Sequence, residues 1–194
     1  MTAGMEKLAQ DVDILITMAA EMEKYLRSDV LFWNMGRAEM PALTLGSYLM
    51  RQYRLLELEE LLSKEQESQV EAAVAQFNRT LVEKIVLVEQ KSHRELEARL
   101  RQWQEYLSDV ERNVASRISN YATAVEVRAM IAALFDQLEL PPYELDPSIP
   151  RRVNLLDAQL RRHWEAGEFV WPEEWKAAYP QSAFWWLYGQ PRER

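Results

Sequence analysis

Residues 64–112 read KEQESQVEAAVAQFNRTLVEKIVLVEQKSHRELEARLRQWQEYLSDVER, a stretch without proline or glycine. Within it Val70, Val74, Phe77, Leu81, Ile85, Val88, Leu96, Leu100, Trp103, Leu107 and Val110, with Ser92 in phase, recur at intervals of three and four. That periodicity puts them on one face of an α-helix. The mean spacing is close to 3.5, which favours left-handed supercoiled packing on neighbouring helices. Ser63-Lys64-Glu65-Gln66 has the form of a capping box and predicts the start. Unbroken, the helix would be about 70 Å long. Ser92-His93-Arg94-Glu95 is a second capping-box pattern, but the apolar seam keeps its phase through it. One long helix is therefore expected, bent near Ser92 if anywhere.

Working outward, a first helix is predicted from about Met5 to Leu26, with Leu8, Val12, Leu15, Ala19, Met22 and Leu26 on one face. Turn residues break the pattern from Arg27 to Met40, and Leu31-Phe32-Trp33 between them must pack on the helices. A second helix should open near Pro41 and run to Leu62. Gly46 inside it costs about 1 kcal/mol of helix propensity, so a neighbouring helix is expected to approach closely there. Thr123-Ala124-Val125-Glu126 reads as the N-cap of a helix ending before Pro141-Pro142. A last helix is expected from Pro150 to Gly167, carrying Val153, Leu156, Leu160 and Trp164.

Composition then changes. Seven of the eight prolines and five of the seven tryptophans fall between residues 141 and 191. The expected fold is all-α: an elongated antiparallel helical bundle with one very long central helix and a Pro/Trp-rich C-terminal strap. Residues 1–139 form the acidic bundle, and 140–194 supply the last helix and the strap, packed on the bundle within one structural domain.

The chain has no cysteine, which removes disulfides, Cys-ligated zinc and thiol catalysis. Its N-terminus lacks a basic segment followed by an apolar run, and its longest apolar runs are far below the roughly 20 residues that span a bilayer. A cytoplasmic protein without membrane contact is the expectation. Net charge is −8, of which −7 lies in residues 1–139, and this disfavours nucleic acid as a partner.

Several chemistries lack their residues. Di-iron bundles need Glu-x-x-His pairs, yet Gln90 precedes His93 and Leu160 precedes His163 by three. No two of the five glycines have phosphate-loop spacing. Neither histidine lies in the strand–turn–helix setting of a serine triad. Glu57 and Glu60 begin the acidic pattern of all-α nucleotide pyrophosphatases, but the next such pair, Asp136 and Glu139, is much too distant. They fit the acidic end of an exposed face. Arg151-Arg152 and Arg161-Arg162-His163 are interrupted by Asp157, Glu165 and Glu168, as in an ordinary amphipathic face.

Two constellations stand as candidate sites. Glu89, His93 and Glu97 share one face at i, i+4 and i+8, where a divalent metal could be caught with a ligand from another helix. The competing reading is a solvated polar stripe flanked by Lys91, Arg94 and Arg99. Trp164, Trp171, Trp175, Trp185 and Trp186 concentrate apolar area in few residues. They read either as a strap filling grooves in the bundle or as a recognition surface, since aromatics are enriched at binding hot spots.

This ending, together with Leu31-Phe32-Trp33 and the long third helix, resembles a group of uncharacterised bacterial all-helical proteins. The resemblance covers much of the chain and implies no activity. The expected function is a non-catalytic interaction or scaffold protein, with a protein partner or a homodimer and no cofactor. The alternative is a metal- or small-ligand-binding bundle, using Glu89, His93 and Glu97 or an aromatic pocket between strap and bundle.

Overall fold

The computed structural model describes residues 2–192, so the outermost residues of the two expected regions lie outside it. The chain is mostly helical, with one small two-stranded sheet. Helix α1 (Ala3–Arg27) is capped by Thr2 and buries Leu8, Val12, Leu15, Ala19, Met22 and Leu26, the face its periodicity predicts. The connector behind it is held by paired hydrogen bonds between Trp33 and Leu43.

Helix α2 (Leu45–Glu57) starts after Pro41, because Thr44 accepts the Ser47 N–H at 3.0 Å and sets the cap there. It lies along α1, with Arg51 and Arg54 both reaching Asp11. After a 3₁₀ turn at Glu59–Leu61, the capping box forms as written in the sequence. Ser63 Oγ accepts the Gln66 N–H at 3.2 Å, and Gln66 Oε1 accepts the Ser63 N–H at 3.0 Å.

The long run is two helices, α3 (Lys64–Glu83) and α4 (Ile85–Glu111). They meet at Lys84, whose φ of −128° and ψ of 33° leave the helical region, whereas Ser92 sits buried and regular inside α4. Thr80, Val82, Ile85, Val86 and Val88 crowd this junction, and β-branched side chains lose rotamer freedom against the preceding turn. α3 packs on α1, while α4 packs on the helix that follows two short turns, α5 (Ala115–Ile118) and α6 (Tyr121–Ala124).

That helix, α7 (Glu126–Glu139), begins after Val125, because residues from Thr123 close a separate turn. It packs on both α2 and α4. α8 (Ile149–Arg161) has Pro150 in its first turn as expected and lies on α4. It ends six residues before Gly167. Trp164–Phe169 is a strand, β1, paired antiparallel with β2 (Tyr188–Pro191). Gly189 makes this possible. Its φ is +146°, and a Cβ there would run into the Glu165 carbonyl.

Candidate functional site

The strap is fastened by a buried arginine. Arg54 donates from Nη1 to Asp11 at 2.5 Å and from Nε to the Tyr179 hydroxyl at 3.1 Å, and its guanidinium lies 3.8 Å from the Trp175 ring centre. Arg51 donates to the other Asp11 oxygen at 2.9 Å. The tryptophans complete the seal. Trp175 Nε1 donates to the Gly4 carbonyl at 3.2 Å and Trp171 Nε1 to the Ala122 carbonyl at 2.9 Å. Trp171, Trp175 and Trp186 are buried. Trp164 and Trp185 are half-buried and meet edge to face, with Arg161 lying 3.6 Å from the Trp185 ring centre.

The candidate metal residues serve the chain crossing to α8. Glu89 Oε1 accepts the Glu144 N–H at 2.7 Å, His93 Nε2 accepts the Asp146 N–H at 3.3 Å, and Glu97 pairs with Arg152. With Nε2 accepting, His93 Nδ1–H donates to the Glu89 carbonyl at 2.9 Å. Among the described residues, no three histidine, aspartate or glutamate side chains gather as a metal-holding group.

The charged groups that matter to packing on α4 lie beside that stripe. Lys91 is 3% exposed and Arg99 8%, so neither belongs to a solvated flank, and Glu95 between them is fully buried. Lys91 Nζ donates to the carbonyls of Tyr25, Ser28 and Val30 at 2.7–2.9 Å, closing the C-terminal end of α1. Burial, with Arg94 nearby, lowers its pKa. Glu95 accepts the Gly46 N–H at 2.9 Å at the first turn of α2 and pairs with buried Arg99 at 3.2 Å. Burial pushes its pKa up, against the pull of Arg99, the Thr44 hydroxyl and the Gly46 amide. Glu95 and Arg99 continue the three/four spacing from Ser92 to Trp103, so phase was the signal that they face inward.

Among several clefts, a groove of about 250 Å³ lies between α2 and α7, with the strap on one side. Ala129, Ala132 and Ala133 form its floor on α7, because their short side chains do not fill the space facing Leu49 and Tyr53 on α2. Tyr179 and Phe184 of the strap line it, their rings edge to face at 5.0 Å and within 6 Å of Tyr53. The Tyr53 hydroxyl donates to the Ala178 carbonyl at 2.7 Å, tying the groove wall to the strap. Burial, then the nearby Glu57 and Asp136 carboxylates, push the Tyr53 pKa up to about 12. Exposed Leu56 and Leu140 stand at the edge.

None of the five candidate tryptophans lines this groove; Trp171 and Trp175 border a separate polar cleft with Asp11, Arg51 and Arg54. The groove's residues escaped sequence reading because alanines on an amphipathic helix carry no signal of what they leave unfilled. No known protein family, curated protein or solved structure matches the chain.

Proposed function

We propose that this protein is a non-catalytic binding module whose recognition element is the groove between α2 and α7. An apolar, aromatic-ended concavity supports it, in a protein whose Trp103, Trp171, Trp175 and Trp186 are packed away in the core. In this reading the helices form an elongated antiparallel bundle that holds α2 and α7 apart over the alanine floor. A volume of about 250 Å³ suits a compact ligand, below the roughly 300–1,000 Å³ of drug-sized sites.

Amide NMR of the full chain with 2-phenylethanol tests it. Shifts should gather on residues 49–56, 129–140 and 179–184, and Ala133→Leu, which fills the groove while keeping a good helix former, should abolish them. Shifts that persist in that variant, or scatter over the surface, would refute the groove.

A second reading, contact with another protein, is favoured by Val82 and Val86, which are 75% and 62% exposed one helical turn apart across the Lys84 junction. Light scattering of wild type and Val82→Ser/Val86→Ser separates the two. Self-association through this pair predicts a dimer that the double variant dissolves, and a wild-type monomer removes it.

A further inference from the structure

The polar groups of the groove share one character. Gln52 lines it, and its buried amide oxygen has no hydrogen-bond partner among the described residues. Tyr53 has already given its hydroxyl proton to Ala178, so its oxygen offers lone pairs only. Tyr179 lines the groove with its ring while its hydroxyl meets Arg54. Asp136 stands at the rim with Glu139 one turn further along α7, and Glu57 on α2 acts on the same tyrosine as Asp136. The guanidinium that acts on Asp136 is that of Arg128, which is committed to Asp157 through two hydrogen bonds of 2.9 and 3.0 Å. The rim lies on the last turns of α7, where the helix end adds partial negative charge. Glutamine amides apart, the groove offers acceptors and negative potential around an apolar floor.

We propose that the groove, if it is the binding site as argued above, selects a compact organic ammonium. Its apolar, one-ring body sits on Ala129, Ala132 and Ala133 between Tyr53 and Phe184, and its N–H groups meet Asp136 at the rim. A neutral body of the same shape keeps the apolar contact and lacks the charge that strengthens the polar one. An anion meets Asp136, Glu139 and Glu57 and is rejected.

Three probes of one body and three charges decide it: 2-phenylethylammonium, 2-phenylethanol and 3-phenylpropanoate, titrated against the full chain by amide NMR. The ammonium should bind about tenfold tighter than the alcohol, as one charge-assisted contact supplies, and the carboxylate should not bind. Asp136→Asn should weaken the ammonium about tenfold and leave the alcohol unchanged, and added salt should weaken the ammonium alone. A melting curve of Asp136→Asn that overlays wild type shows that the loss is not one of folding. Equal affinities for ammonium and alcohol at the groove, unaltered by Asp136→Asn, would overturn the ammonium preference while leaving the groove as a site. No groove shift with any probe would overturn the groove, and this inference with it.

Discussion

Gly46 shows how one missing methyl organises the centre of the molecule. A Cβ there would stand 2.7 Å from Glu95 Oε1, 3.1 Å from Leu134 Cδ1 and 3.2 Å from Met130 Cβ. The glycine was legible as a point of close approach, but the sequence did not show that a carboxylate comes so near as well as a helix. An ordinary Gly→Ala change inside a helix stabilises by about 1 kcal/mol. Here the added methyl collides with α7 and with the carboxylate that accepts the Gly46 N–H. Gly46→Ala should therefore destabilise by about 1–3 kcal/mol in urea unfolding, the usual cost of overpacking. An increase in stability would mean that Glu95 moves aside freely. Lys91 makes the complementary case. Lys91→Met keeps the apolar stem but leaves the Tyr25, Ser28 and Val30 carbonyls without their donor, and about 2 kcal/mol of stability should be lost.

At the scale of elements, the sequence was clearest where the signal is local and weakest where the partner is distant. The Ser63–Gln66 capping box and the buried face of α1 follow from residues within one or two turns of each other. β1 and β2 do not. They pair across about twenty residues of chain, and Trp164 continues the apolar phase of α8, so the last helix looked longer than it is. The interruption at Lys84 is intermediate, since the apolar seam keeps its phase while the β-branched residues beneath it weaken the helix. Val82 and Val86 gain little from packing, being 75% and 62% exposed. Val82→Ala/Val86→Ala should stabilise the protein by about 1 kcal/mol through helix propensity, read as a higher urea midpoint with an unchanged slope. A lower midpoint would show that the valines are covered in solution, as the partner reading requires.

Five of the eight tyrosines place their phenols where folding opposes ionisation. Tyr25, Tyr48, Tyr106, Tyr121 and Tyr179 are all buried, and burial is the first cause that raises the pKa of each above the ordinary value of about 10. An acid whose pKa is raised by folding keeps its proton in the native state after the unfolded chain has lost it. The native state then binds more protons, and stability falls as pH rises. The contribution is intact below about pH 10 and is lost above it. Each tyrosine removes about 1.4 kcal/mol per pH unit, so five together remove about 7. Against a typical total of about 5–15 kcal/mol, the fold should collapse within about two pH units above 10. Helical circular dichroism and the absorbance of these five tyrosinates should change together in one steep transition, because these phenols ionise only when the core opens. Tyr48→Phe should make that transition shallower and move it to higher pH, since one of the coupled protons is gone and the Phe77 contact at 4.2 Å is kept. If the absorbance of more than three of the eight tyrosinates instead rose near pH 10 while the helices stayed intact, core phenols would be open to water and the strap would not seal the core.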